Sequence, residues 1–107
     1  GRLSDDTALH NALQEWPRNV ELVLSWVGQL HQREQHQEAS EALRSRLVWF
    51  VPKASELQRA RAFTLLAQSE AALANVSGAI NYAERALVED AGHKPARKLV
   101  AKLKAAR

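Results

Sequence analysis

Apolar residues along this chain recur at spacings of three and four, and breakers cut the pattern into six segments that read as helices. The first runs from about Ser4 to Trp16, with Leu9, Ala12, Leu13 and Trp16 on one stripe, and stops at Pro17-Arg18-Asn19. Ser4 before Asp5 and Asp6 supplies an N-cap and an acidic first turn that suit the helix dipole. The second starts after Asn19 and carries Val20, Val23, Leu24, Val27 and Leu30. A polar stretch from His31 to Glu38 interrupts it. The third segment returns with Ala39, Ala42, Leu43, Leu47 and Phe50 and ends before Pro52. Pro52-Lys53-Ala54-Ser55 is a turn whose Ser55 caps the fourth helix, marked by Leu57, Ala60, Phe63, Leu66, Ala67, Ala71 and Leu73. Asn75-Val76-Ser77-Gly78 separates this from a fifth, with Ala79, Ile80, Ala83, Ala86 and Leu87, and Gly92 to Pro95 introduces a sixth on Leu99, Val100 and Leu103. Short joins between such helices predict an antiparallel all-α array.

Composition agrees. Of 107 residues, 19 are Ala and 15 Leu, against eight Val, one Ile and two Thr, which excludes an all-β fold. No cysteine is present, so disulfides, thiolate metal sites and thiol nucleophiles are excluded. No apolar stretch approaches the ~20 residues a membrane span needs. The start, Gly1-Arg2-Leu3-Ser4-Asp5-Asp6, has no signal-peptide core and reads as a cut fragment. The expectation is a soluble fragment, cytoplasmic, or periplasmic where a longer parent supplies a signal or anchor. The Ala-, Gln- and Arg-rich, cysteine-free composition is associated with a bacterial parent.

The net charge of +3 is unevenly placed. The last fourteen residues hold six bases and no acid, while the other ninety-three hold nine bases and twelve acids.

Helices four and five carry a pattern of their own. Helix four reads Phe63-x2-Leu66-Ala67, and helix five, twelve residues on, reads Ala79-x3-Ala83-x2-Ala86-Leu87. Small residues let two helices cross closely while bulky ones fill the flanks. This pattern resembles the tetratricopeptide repeat (TPR). Aligning Ala39 with Ala79 puts Trp26, Val27 and Leu43 on the corresponding Leu, small and aromatic positions, and Pro52 one residue past the usual terminal proline. In the same frame Ala12-Leu13 and Pro17 fall on the end of a preceding second helix. The resemblance therefore implies a right-handed α-solenoid fragment in one domain: a half repeat at 5–19, repeats at 20–53 and 60–93, and a basic capping helix at 94–107. Departures are plain. Ala39 and Ala79 are 40 apart instead of 34, which places six extra residues near Pro52. The glycine that usually ends the first helix is missing from both repeats. The usual Tyr is Leu30 in one and Glu70 in the other, and Arg46 stands where Ala is usual.

Sites for chemistry are not evident. His31 and His36 are five apart, about 140° around a continuous helix, and read as solvated residues at a hairpin turn. His10 and His93 are isolated. Asp5-Asp6 and Glu89-Asp90 fit helix ends. Ser25, Ser40, Ser45 and Ser69 lie on helices without a nucleophile elbow, and Gly1, Gly28, Gly78 and Gly92 are too dispersed to cradle a phosphate. Asn75-Val76-Ser77 spells a glycosylation sequon but reads as a turn. Trp16, Trp26 and Trp49 read as hairpin core, with one side chain of Trp49-Phe50-Val51 left near the surface. The expectation is a non-enzyme with no metal and no cofactor.

Two surfaces remain. The groove positions of the TPR resemblance fall on Glu21, Leu24, Gly28, His31 and Gln32, and on Arg61, Thr64, Gln68, Ala71 and Ala72. They lack the Lys/Arg/Asn set with which chaperone-binding members hold a terminal carboxylate. They imply an amide-rich concave face for a peptide or partner helix, in a scaffold or assembly protein. The alternative is the basic patch of Lys94, Arg97, Lys98, Lys102, Lys104 and Arg107, facing nucleic acid or an anionic membrane. No aromatic is interleaved there for base stacking, and a solenoid's terminal helix needs a polar outer face in any case. Self-association through exposed hairpin faces is a further possibility.

Overall fold

A computed structural model of the chain describes residues 2–106, with side chains from residue 7 to residue 106. Among the described residues there are seven helices and no strand: α1 (Arg2–Glu15), α2 (Val20–Gln32), α3 (His36–Arg44), α4 (Leu47–Lys53), α5 (Glu56–Ala72), α6 (Val76–Glu89) and α7 (Lys94–Ala106). The all-α class is as the residue pattern requires. None of these helices is long and apolar enough to cross a membrane.

Local chemistry sets the helix ends. Asn19 caps α2 by accepting from Leu22 N–H at 3.0 Å. Ser55 and Gln58 form a reciprocal capping box at the start of α5: the Ser55 hydroxyl accepts from Gln58 N–H at 3.1 Å, and Gln58 Oε1 accepts from Ser55 N–H at 2.8 Å. Asn75 caps α6 through Gly78 N–H at 3.2 Å. A Cβ at position 78 would lie 2.5 Å from Asn75 Nδ2, so glycine leaves room for the cap. The sequon asparagine is thus a helix cap.

The turns α2–α3 and α5–α6 are built alike. In the first, Gln35 N–H reaches Leu30 C=O at 2.9 Å and Glu34 N–H reaches His31 C=O at 3.0 Å; in the second, Asn75 N–H reaches Glu70 C=O at 2.9 Å and Ala74 N–H reaches Ala71 C=O at 3.0 Å. Each is a Schellman closure, which needs a left-handed residue after the helix. Glu34 (φ 60°) and Ala74 (φ 66°) occupy those positions, where glycine is usual. The two closures are 40 residues apart, as Ala39 and Ala79 are.

α5 is the central helix and packs against α2, α3, α6 and α7. Phe50, Phe63, Leu43, Leu66, Val23 and Val27 are the largest apolar side chains fully removed from water, each worth about 1.5–3 kcal/mol. Ala39, Ala60, Ala67, Ala79, Ala83 and Ala86 are also fully buried, so backbone approaches backbone where the helices cross. The described residues make an elongated body of 41 × 27 × 22 Å.

Four expectations are corrected. α1 begins at Arg2, so Ser4 lies inside the helix, and the side chains of Ser4, Asp5 and Asp6 are outside the described residues. The third segment divides into α3 and α4 because Arg46 Nη1 (2.8 Å) and Ser45 Oγ (3.2 Å) take the Ala42 carbonyl that a continuing helix would give to the Arg46 N–H. α4 then continues through Pro52, which lies in its last turn. Trp16 is not core: it follows the end of α1 and is 55% exposed, whereas Trp26 and Trp49 pack on the core. Phe50 is fully buried, and the side chain most open to water at this corner is that of Val48.

Candidate binding groove

α2 and α5 lie side by side, and His93 and Pro95 at the start of α7 border the groove between them, a cavity of about 460 Å³. Six of the ten predicted groove positions line it: Leu24, Gly28 and Gln32 from α2, and Arg61, Thr64 and Gln68 from α5. They are not equally available. Leu24 is 2% exposed and Thr64 4%, with the Thr64 hydroxyl donating to its own Ala60 C=O at 2.7 Å. Both belong to the floor. Gly28 is the open point, since a Cβ there would meet no atom within 4 Å. Ser25, Gln29 and Leu65 complete the walls.

The other four predicted positions lie elsewhere. Glu21 stands outside the lining and pairs with Arg61 Nη1 at 3.3 Å while accepting from Gln58 Nε2 at 2.8 Å. Both groups are about half exposed, so the pair adds little stability. Ala71 packs beneath Ala79, Ile80 and Leu103, and Ala72 is exposed at the end of α5.

His31 is turned to the hairpin end. The chain reverses between α2 and α3, so a continuous helix is the wrong frame for its relation to His36. The two Nδ1 atoms are 3.2 Å apart and the rings meet edge to face at 4.9 Å. One ring accepts from the other, which requires at least one of them neutral. Burial, and then the charge of His36, hold the His31 pKa below the ordinary histidine value. Among the described residues no group of three or more His, Cys, Asp or Glu is placed to hold a metal ion.

His93 was not among the groove candidates, because nothing local to it suggests that α7 returns to α2 and α5. It lines the groove, with Nδ1 3.7 Å from Asp90 Oδ2. Ser25 and Gln29 have a legible signal in their helical adjacency to Gly28 and Gln32. The groove therefore offers amides (Gln29, Gln32, Gln68), one serine, one imidazole and an apolar floor. Such a lining can hold a main chain by hydrogen bonds.

The basic residues Lys94, Arg97, Lys98, Lys102 and Lys104 are all exposed on α7, and Arg107 is outside the described residues. Lys104 donates to Glu84 Oε2 at 3.0 Å. Leu103, and less completely Leu99, face inward beside Ile80 and Ala79.

No protein-family model matches this chain, and no curated protein matches it.

Proposed function

We propose that the chain is a TPR-like helical-repeat module, without chemistry of its own, that holds a peptide or partner helix in the groove between α2 and α5. The observation that carries this reading is the convergence of Gly28, Gln32, Arg61 and Gln68, positions 29 to 40 residues apart between the two helices, in one open amide-lined groove. Repeat character has separate support. The α2–α3 and α5–α6 hairpins close with the same hydrogen bonds 40 residues apart, and α5 touches both helices of the preceding hairpin as well as α7. Stacked helical hairpins have this neighbour pattern. The 40-residue spacing has its origin in two places: α2 and α5 start 36 residues apart, and α5, with 17 residues, is four longer than α2, with 13.

Gly28→Trp is the direct test, because a Cβ at position 28 meets no atom within 4 Å and the indole it carries would stand in the groove. Immobilised wild-type chain, incubated with a native lysate of its source, is expected to retain a discrete protein through nuclease and high salt, and Gly28→Trp to lose it. Equal capture by Gly28→Trp would refute the groove. Retention that collapses with salt and nuclease would transfer the function to α7, because phosphate contacts weaken steeply with ionic strength. Leu24→Glu is unsuitable, since Leu24 is core.

A further inference from the structure

A second cleft, of about 720 Å³, lies between α3, α5 and α6 and shares no residue with the groove. Its hydrogen-bonding capacity is one-sided. The carboxylates in its wall are engaged: Glu70 accepts from Ser40 Oγ at 2.6 Å and from Asn75 Nδ2 at 2.7 Å, and Glu84 accepts from Lys104 Nζ at 3.0 Å. The donors are not. Arg44 gives only Nε, to Ser40 Oγ at 2.9 Å. Arg85 makes no hydrogen bond or ion pair among the described residues, unlike Arg59 and Arg61, which pair with Glu89 and Glu21. The Asn81 amide and the Tyr82 hydroxyl likewise have no protein partner among the described residues.

Arg85 is nevertheless held in place. Its guanidinium carbon lies 4.2 Å from the Phe63 ring centroid and 5.9 Å from that of Tyr82, and the two rings stack at an interplanar angle of 14°. Aromatic stacking restrains the guanidinium before a ligand arrives and leaves its N–H groups unspent. A planar guanidinium so presented matches a carboxylate in two parallel hydrogen bonds. The charges select further. Glu84 is balanced by Lys104, so Arg44 and Arg85 face Glu70 with one positive charge in excess. That excess attracts an anion, and the planar fork of Arg85 fits the two coplanar oxygens of a carboxylate. Exposed Val88 borders the same cleft and offers an apolar contact beside the charge.

We propose that this cleft binds a carboxylate, seated on the Arg85 guanidinium with Asn81 and Tyr82 alongside, and that Val88 favours one carried by an acidic residue next to an apolar one in a protein segment. The site is independent of the α2–α5 groove.

The test is a nuclear magnetic resonance titration of the ¹⁵N-labelled full chain, read at the arginine Nε–Hε and Asn81 amide signals. At matched ionic strength, the ligands are N-acetyl-Glu-Leu-amide, acetate, inorganic phosphate and chloride. The dipeptide is expected to saturate the Arg85 and Asn81 shifts at millimolar concentration, with acetate several-fold weaker and chloride without effect. Equal binding of acetate and dipeptide would refute the peptide source and keep the carboxylate; tighter phosphate binding, or shifts reproduced by chloride, would overturn the proposal. Arg85→Gln should weaken dipeptide binding at least tenfold. Asn81→Ala, an exposed change that spares the aromatic stack, should weaken it several-fold with an unchanged melting curve. Unaltered affinity in both variants would also overturn the proposal. Gly28→Trp should leave this binding intact, so failure of the groove and failure of the cleft are distinguishable.

Discussion

Glu70 is a carboxylate at 9% exposure, in the helical position that Leu30 fills forty residues earlier. It is tolerated because Ser40 of α3 donates to one oxygen at 2.6 Å and Asn75, the cap of α6, to the other at 2.7 Å. Ser40→Ala removes the first donor from a largely buried carboxylate. A hydrogen bond to a charged group contributes about 1.5–3 kcal/mol. The expected loss is therefore about 2 kcal/mol, near 8 °C in Tm for a domain of this size. The Ser40 bond is also the chief cause of the lowered Glu70 pKa; Asn75 and the Arg44 charge act the same way, and burial opposes them. A folded-state pKa below the unfolded one means that the network's stabilisation is complete above the unfolded value, about 4.3, and is lost as pH falls through the folded value. Urea titrations of wild type and Ser40→Ala should therefore differ fully at pH 7, and the difference should shrink as pH falls below the ordinary glutamate value. Replacing both partners, as in Ser40→Ala with Glu70→Leu, leaves no unmet charge and should return stability to within about 1 kcal/mol of wild type. A loss below about 0.5 kcal/mol at pH 7 would refute the reasoning, as would one that does not shrink at all on acidification, or single losses that simply add.

Three further outcomes are expected. Ser69 is fully buried and its hydroxyl has no hydrogen-bond partner among the described residues, so Ser69→Ala should raise stability by about 1 kcal/mol, read as a higher urea midpoint at unchanged m-value. Ala74→Gly should stabilise by about 0.5–1 kcal/mol, because relief of the left-handed strain at φ 66° outweighs the added flexibility of the unfolded chain; a lower Tm would show that the turn carries no strain. The His31 ring should titrate below the ordinary histidine value, and His36→Asn should move its midpoint upward. Since the unfolded chain then binds the proton first, the His31 contribution falls as pH drops through the ordinary value toward the folded one, and a midpoint indifferent to His36 would contradict the pairing.

Helix ends and helix faces were legible because their causes are local. Asn19, Ser55 and Asn75 cap the N–H groups three residues on, and the apolar stripes of α2 and α6 and the middle of that of α5 are buried, while Leu57 and Leu73 at the ends of the α5 stripe are exposed. The groove positions came from the repeat frame, which spaces them by helical turns: Gly28 and Gln32 lie one turn apart on α2, and Arg61 and Gln68 two turns apart on α5 with Thr64 between them in the floor. His93 was not, because its place depends on how α7 packs against α5. The convergence of His31 with His36 was hidden by the assumption of a continuous helix, and it depends on Glu34 adopting φ 60°. A left-handed glutamate has no compositional mark.

The positions that break the repeat pattern are informative for that reason. Arg46 stands where Ala86 lies in the second hairpin, and its side chain stacks over Trp26 at 4.9 Å while taking the Ala42 carbonyl that would have continued α3. Glu70 stands where Leu30 lies, and it draws Ser40, Arg44 and Asn75 into one network between α3, α5 and α6. In each case a side chain that lowers the match to the pattern obtains a partner the pattern does not contain. Such exchanges separate the two hairpins chemically although their backbone turns are the same. The first acquires a broken second helix with α4; the second acquires a polar wall in which the carboxylates are engaged and Arg44 and Arg85 retain free donors. A pattern-conforming chain, with leucine at 70 and alanine at 46, would keep the core and lose both the α3–α4 break and the network that positions Arg44. The departures therefore specify the individual surfaces of this domain, and the conforming residues specify its helices.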